Sequence, residues 1–192
     1  MTRQVADEVL GKIARQQHDL FRRVREGTLN PESVSRGLQN LIEGRFTNDI
    51  DNTYLVTVNY DLSVKDAVKA GKYDWTKDDI TTKHFPSKRV GIAEQKIILV
   101  HFNRDIKVDE AIRELDKMGF RPAELPELLA LGAKYPDIQR DFPVIALGSV
   151  WRNPDGDRYC AYLCGLGSVR SLNLNWFAGW WRDFCRFAAV SK

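Results

Sequence analysis

The most reactive side chains in this 192-residue sequence are three cysteines and three histidines. Cys160 and Cys164 are four residues apart on a predicted strand, so their side chains should share a face of it. No CxxC or HxxxH spacing of the kind that holds zinc accompanies them. His101 is far along the chain from every cysteine, and nothing local supports a Cys–His nucleophilic pair. We therefore expect free thiols, no catalytic residue, no metal and no cofactor.

Aromatic residues are concentrated near the end of the chain. Four of the five tryptophans lie between Trp151 and Trp181. Residues 178–185 read as a loop, in which the adjacent Trp180 and Trp181 cannot both point inward. Exposed aromatic side chains between Arg and Asp are typical of protein-binding surfaces. The predicted ligand-binding residues are Trp151, Arg152, Tyr162, Cys164, Asn173, Asn175, Trp180, Arg182, Asp183 and Phe184.

Regular elements that would position these residues are clearest in the second half of the sequence. The hydrophobic pattern predicts a strand, two helices and four late strands. Asn153-Pro-Asp-Gly-Asp is a strong turn sequence between the first two of those late strands. The predicted ranges are 96–102 for the first strand, 108–118 and 122–135 for the helices, and 144–151, 158–163, 168–176 and 185–190 for the late strands. The expected core is Leu128, Val144, Ile145, Leu172, Leu174, Trp176 and Phe187.

The first half divides into two further segments. Apolar residues at helical spacing predict a helical hairpin over residues 1–45, with Asn30 capping its second helix and Pro31 in the first turn. Residues 46–94 read as a mixed connection with a strand at 53–59, a short helix after Ser63 and an ordered loop at 73–89. Residues 95–192 then form the predicted binding domain.

Composition and charge bear on partners and location. The sequence has 29 basic and 26 acidic residues, a formal net charge of +3, and this near balance gives no electrostatic case for nucleic acid as a partner. The apolar runs are shorter than the roughly 20 residues that a membrane span needs. The first residues contain no apolar segment of the secretory type. We expect a cytoplasmic protein with reduced cysteines, a protein ligand and no membrane association.

Short motifs resemble a known fold. Gly119-Phe-Arg-Pro-Ala, followed by the helix around Glu127-Leu-Leu-Ala-Leu, resembles the strand-to-helix passage of C-type-lectin-like domains of the formylglycine-generating-enzyme type. The terminal Cys185-Arg-Phe-Ala-Ala-Val resembles the closing strand of that fold. The tail from 142 to 190 also resembles the variable proteins of diversity-generating retroelements, and most of the chain resembles uncharacterised bacterial proteins of candidate phyla.

This resemblance implies a specific architecture and function. The implied fold is α+β, with the N-terminal helical hairpin followed by a C-type-lectin-like domain that has two helices and a small antiparallel sheet. The implied function is non-enzymatic ligand binding through a diversified surface near the C-terminus. Ala123 stands where a helix-capping Thr is usual. The copper-binding cysteine pair of the enzymes does not match any cysteine here, and the calcium-binding motifs of true lectins are absent, so neither activity carries over.

Two other functions remain open at this stage. One is an enzyme relic of the formylglycine-generating type. The other is a nucleic-acid-associated regulator in which Phe21-Arg-Arg-Val-Arg belongs to a helix-turn-helix. Under the binding-protein hypothesis, the N-terminal helices are an assembly module that docks to another protein or to a second copy of the chain.

Overall fold

A computed structural model describes residues 2–42 and 53–192, and the chain divides into two compact units, 1–49 and 50–192. The first unit contains the helices α1 (Thr2–Arg25) and α2 (Pro31–Ile42). Between them Gly27 adopts a φ of +71°, which favours glycine. Asn30 Oδ1 accepts a hydrogen bond from the Glu32 N–H at 2.9 Å, and this confirms the predicted cap of α2.

The second unit has the predicted α+β composition, and its sheet is larger than the sequence indicated. Its elements are β1 (Thr53–Asn59), α3 (Val64–Gly71), β2 (Trp75–Thr76), β3 (Ile92–Val100), β4 (Ile106–Lys107), α4 (Val108–Lys117), β5 (Phe120–Pro122), α5 (Leu125–Lys134), α6 (Ile138–Asp141), β6 (Val144–Arg152), β7 (Arg158–Leu166), β8 (Val169–Trp176), β9 (Trp180–Trp181) and β10 (Arg186–Ser191).

Within residues 53–192, eight strands form one mixed sheet in the order β1-β3-β10-β6-β7-β8-β2, with β5 also paired to β10. Most neighbours are antiparallel, whereas β10 with β6 and β8 with β2 are parallel. β1 pairs along its whole length with β3, and β3 pairs with the last strand, β10. Residues 53–59 and 75–76, which the sequence placed in a connecting segment, therefore belong to the same sheet as the C-terminal strands.

Helices cover both faces of this sheet and create two apolar layers. On the first face, Val64 of α3, Leu128 of α5 and Ile138 of α6 pack with inward residues of the strands. On the second face, Ala111 and Leu115 of α4 pack with another set of strand residues. The predicted core residues Leu128, Val144, Ile145, Leu172 and Phe187 are all buried, and Leu174 is half-buried against the first layer.

Trp176 is a correction to the predicted core, because its side chain is 54% exposed. The register pairs it with Tyr159 and gives it the same strand face as Leu172 and Leu174. Along that face burial decreases from Leu172, which is fully buried, through Leu174, which is half-buried, to Trp176. Leu172, Leu174 and Trp176 do lie on one face, but β8 continues beyond the layer of side chains that would cover its last residue.

Two buried charged residues fix the helices to the sheet. Glu127, fully buried in α5, accepts hydrogen bonds from the Glu124 N–H, from the Tyr60 hydroxyl and from both Nη atoms of Arg121, at 2.6–3.0 Å. Its carboxylate thus provides a hydrogen-bond acceptor for a backbone N–H at the start of α5 and neutralises the charge of the half-buried Arg121.

Arg170 in β8 is the second buried charge, at 6% exposure. Its guanidinium donates to the backbone oxygens of Gly71 and Gly132, at 2.9 and 2.8 Å, in the last turns of α3 and α5. A cation is favourable there because the last carbonyls of a helix carry partial negative charge. The ring of Tyr73 lies against the same guanidinium, 5.1 Å from its centroid. The helix ends and β8 are therefore joined by one side chain.

Candidate functional site

A row of polar side chains, half-buried or exposed, occupies the second face of β7 and β8. Because β7 and β8 are antiparallel, residues that are opposite in the register share a face, and Tyr162 lies opposite Asn173. Cys164 lies opposite Ser171 on the same face, and Asn175 lies opposite Cys160. We call Tyr162, Cys164, Ser171, Asn173 and Asn175 the polar face. The structure thus brings together four of the residues predicted from sequence.

The asparagines of the polar face keep hydrogen-bonding capacity. The side-chain oxygen of Asn173 accepts from the Leu174 N–H at 3.0 Å, and that of Asn175 accepts from the Trp176 N–H at 2.8 Å. Within residues 2–42 and 53–192, neither amide nitrogen donates a hydrogen bond. Both asparagines therefore present unused donors on an accessible surface.

Residues 177–185, which we call the aromatic loop, follow β8 and lead to β10. Their aromatic residues divide by environment: Phe177 and Trp181 are buried, whereas Trp180 is 59% and Phe184 is 57% exposed. Trp180 and Trp181 form the short strand β9, which pairs with β4. Since successive side chains of a strand point to opposite sides, one tryptophan faces the core and the other faces solvent.

Trp181 holds the aromatic loop against the sheet. Its ring makes edge-to-face contacts with Tyr162, at 5.6 Å between centroids, and with Phe187 of β10, at 6.5 Å. Trp180, on the outer side, lies under the ammonium of Lys107, 5.1 Å from the ring centroid. The polar face and the aromatic loop are thereby in direct contact through Tyr162 and Trp181.

Asp105 fixes the turn of the aromatic loop from the opposite side. Its carboxylate accepts from Arg182 Nη1 at 2.9 Å and from the Asp183 N–H at 3.0 Å. His101 Nε2 lies 2.6 Å from the Asp183 carbonyl oxygen, so the tautomer that carries the proton there donates to it. These bonds hold the backbone of the loop, while the side chains of Asp183 and Phe184 remain exposed.

Thiols near Tyr162 are poorly suited to nucleophilic chemistry. Burial raises the pKa of Cys164 and of Cys185, and it raises the pKa of Cys160 to about 12. A thiol with a raised pKa carries little thiolate at neutral pH, and the thiolate is the reactive form. In the described part of the chain, His84 and His101 bond to backbone carbonyl oxygens and not to sulfur.

Two predicted site residues lie elsewhere. Trp151 belongs to the first face of the sheet, where its half-buried ring stacks on His84 at 4.4 Å and contacts Tyr159. Arg152 lies at the end of the β6–β7 hairpin, where Nη1 donates to the Gly156 carbonyl at 3.1 Å. Neither is part of the group formed by the polar face and the aromatic loop.

Sequence reasoning did not find Lys107, Asp105 or Arg158. Lys107 and Asp105 reach the aromatic loop from the segment before α4, more than 70 residues earlier in the chain. The guanidinium of Arg158 lies over the buried ring of Phe177, 5.0 Å from its centroid. No local sequence pattern predicts such contacts, because Asp105 and Lys107 reach the loop only through the pairing of β4 with β9.

Comparisons with protein-family models, with curated proteins and with solved structures gave no match. Among the helices of residues 2–42 and 53–192, none combines the length and apolar character required to cross a bilayer. In the same residues no group of three or more His, Cys, Asp or Glu side chains is arranged to hold a metal ion.

Proposed function

We propose that this protein is a non-enzymatic binding protein that recognises a protein ligand through the polar face and the aromatic loop. The observation that carries the proposal is the division of the adjacent tryptophans: Trp181 is 4% exposed and anchors the loop, whereas Trp180 is 59% exposed. Large exposed aromatic groups on a fixed backbone supply contact area at a low entropic cost. The asparagines beside them supply adaptable hydrogen bonds.

The fixed backbone distinguishes this surface from an ordinary mobile loop. β9 pairs with β4, and Asp105 accepts two hydrogen bonds from the residues that follow. A binding surface that is ordered before association loses less conformational entropy when the ligand arrives. The side chains that point outward, those of Trp180, Asp183 and Phe184, contribute little to the core and are free to differ without loss of the fold.

A C-type-lectin-like variable protein of the diversity-generating type is the finer form of this proposal. Its support is the order of the longer elements from β3 onward: a strand, the helices α4 and α5, three antiparallel strands, and the closing strand β10 antiparallel to β3. The proposed variable positions are the outward residues of the polar face and the aromatic loop. Cysteines that are all free fit a reducing compartment such as the cytoplasm.

The first unit supports a role in assembly. α1 has apolar side chains on a charged helix, and Val9, Leu10, Ile13 and Phe21 are about half exposed. An amphipathic helix is stabilised mainly by burying its apolar face, so these residues favour association. We propose that the helices of residues 2–42 join copies of this chain, so that several ligand-binding surfaces act together.

Affinity capture with matched tryptophan variants tests the proposed function. The parent protein, Trp180→Ala and Trp176→Ala are immobilised, and captured proteins from the native cell extract are quantified by mass spectrometry. Trp176 is 54% exposed on the other face of β8 and serves as the control. The ligand should be retained by the parent and by Trp176→Ala and reduced at least about tenfold by Trp180→Ala, as for an interface hot spot. Equal capture by the three proteins would contradict the proposal.

A further inference from the structure

A groove of about 400 Å³ lies in the second unit between α3 and α5, beside the strand β1. Its walls are apolar: Leu62 and Val64 stand on one side, and Leu129 and Ala130 of α5 stand on the other. Thr57 and Asn59 of β1 complete the lining. The groove is on the first face of the sheet, whereas the polar face is on the second, so it is a separate surface.

One edge of β1 borders this groove and has no neighbouring strand among the described residues. β1 is the first strand in the sheet order, and β3 is its neighbour on the other side. The Tyr60 N–H donates to Gly91 on the β3 side, so alternation directs the backbone groups of residues 55, 57 and 59 away from β3. Consistent with this, the Leu55 carbonyl accepts from the Tyr135 hydroxyl at 3.1 Å. In the part of the chain that the structure describes, the N–H and C=O of Thr57 have no partner.

The sequence of β1 does nothing to protect this edge. Proteins usually block an open strand edge with proline, a charged residue, a bulge or a covering element. β1 reads TYLVTVN, which contains neither proline nor a charged residue, and its pairing with β3 runs without a bulge. The N–H and C=O of Thr57 lie in the middle of this seven-residue strand and next to an apolar groove, and strand addition uses a surface of this kind.

We propose that this groove binds an extended peptide segment of another protein, which adds to β1 as a further strand. Its backbone pairs with Thr57, and an apolar side chain enters the space between α3 and α5. The charge of the groove predicts one further residue of the peptide. Lys134 is the one charged residue among those that line the groove. The Lys134 ammonium lies over the ring of Tyr135, 5.8 Å from its centroid, and has no carboxylate partner among the described residues, so the peptide carries an acidic residue at that end.

A labelled model peptide tests the proposal on the full chain. The probe is a fluorescein-labelled peptide of alternating valine and threonine that ends in two glutamates, and a second probe ends in two lysines. Fluorescence anisotropy should show saturable binding of the glutamate probe and at least about tenfold weaker binding of the lysine probe, with Lys134→Glu reversing the preference. Lys83→Glu, which changes an exposed lysine outside the groove, is the matched control and should leave both affinities unchanged.

Two further variants address the strand edge and the groove. Thr57→Pro removes the outward N–H without removing a bond to β3, and Ala130→Trp fills the groove. Each variant should bind the glutamate probe at least about tenfold more weakly than the parent. Hydrogen exchange of the free protein should find the Thr57 amide unprotected, and bound peptide should protect it. Three results would each overturn the proposal. They are absence of saturable binding, binding of the glutamate probe by Thr57→Pro and Ala130→Trp with the affinity of the parent, and a Thr57 amide that is already protected in the free chain.

Discussion

Trp180 and Trp181 are neighbours in the chain, and we expect them to have opposite energetic roles. Trp181 packs on Tyr162 and Phe187 and is buried, so Trp181→Ala should lower the free energy of unfolding by about 3–5 kcal/mol. Trp180→Ala and Trp176→Ala remove exposed side chains and should each change it by less than about 0.5 kcal/mol. Urea denaturation of the three variants measures these differences. A small effect of Trp181→Ala would show that the aromatic loop is not anchored.

Burial of Cys160 makes the free energy of unfolding depend on pH in the alkaline range. Burial raises the pKa of this thiol from 9.0 to about 12, so above pH 9 the unfolded chain loses a proton that the folded chain retains. The stability due to the neutral thiol is therefore complete below pH 9 and declines as pH rises toward 12. The slope from this one group reaches about 1.4 kcal/mol per pH unit.

Cys160→Ala should remove this contribution. Urea denaturation at several pH values between 8 and about 11 should show a shallower loss of stability for Cys160→Ala than for the parent. Burial also raises the pKa of Cys164, which is only half-buried, so Cys164→Ala is the control and should change the slope less. Identical slopes for Cys160→Ala and the parent would contradict the assigned burial.

The ring of Tyr73 explains why positions 71 and 132, near the ends of α3 and α5, are glycine. A Cβ atom added at Gly132 would lie 2.2 Å from the Tyr73 hydroxyl oxygen, and one added at Gly71 would lie 2.3 Å from Cε2 of the same ring. The ring thus occupies the gap at the C-terminal ends of α3 and α5, next to the guanidinium of Arg170. Only residues without a Cβ leave room for it.

Gly132→Ala should therefore be destabilising by about 1–3 kcal/mol, the usual cost of overpacking a well-filled site. The Tyr73 hydroxyl is buried without a hydrogen-bond partner among the described residues, so Tyr73→Phe alone should be neutral or slightly stabilising. In the double variant, loss of the hydroxyl should recover part of the stability lost in Gly132→Ala. Strictly additive effects in thermal unfolding would show that the two residues do not compete for this space.

Elements determined by local chemistry were predictable from sequence. Ser63 starts α3 through a hydrogen bond from the Asp66 N–H, and Asn153 closes the β6–β7 turn by accepting from the Asp157 N–H at 2.8 Å. The strands β2, β4 and β9 were not predicted, because two residues carry no periodic pattern and their pairing depends on distant partners.

The burial of Arg170 could have been inferred from the alternation of side chains along β8. Arg170 precedes Leu172 by two residues and therefore shares its inward face, although a charged residue is seldom assigned to a core. Its carbonyl partners, Gly71 and Gly132, are at helix ends that only the tertiary fold brings together. Among the predicted site residues, Asn173 and Asn175 share a face by alternation within one strand, whereas the positions of Tyr162 and Trp151 depend on how the strands pair.

For the whole molecule, the exposed apolar residues of α1 predict self-association. The full chain should migrate as an oligomer in analytical ultracentrifugation, and Leu10→Glu with Ile13→Glu should produce monomers, because charges are costly in an apolar interface. Arg15→Glu, a change at an exposed charged position of the same helix, is the control and should leave the oligomer intact. A monomeric parent would contradict the proposed assembly role. Among the described residues, both core clusters are formed by residues of the second unit, so residues 50–192 should unfold cooperatively when produced separately.

The central claim is that the polar face and the aromatic loop form a replaceable recognition surface on a fixed scaffold. Its most direct test is a display library that randomises Ser171, Asn173, Asn175, Trp180, Asp183 and Phe184 together, beside a library that randomises Leu128, Val144, Ala161, Leu163, Leu172 and Val190. We expect most members of the first library to remain folded, as judged by protease resistance, and selection against unrelated proteins to yield binders. The second library should be largely unfolded. A first library as protease-sensitive as the second, or one that yields no binders, would contradict the claim.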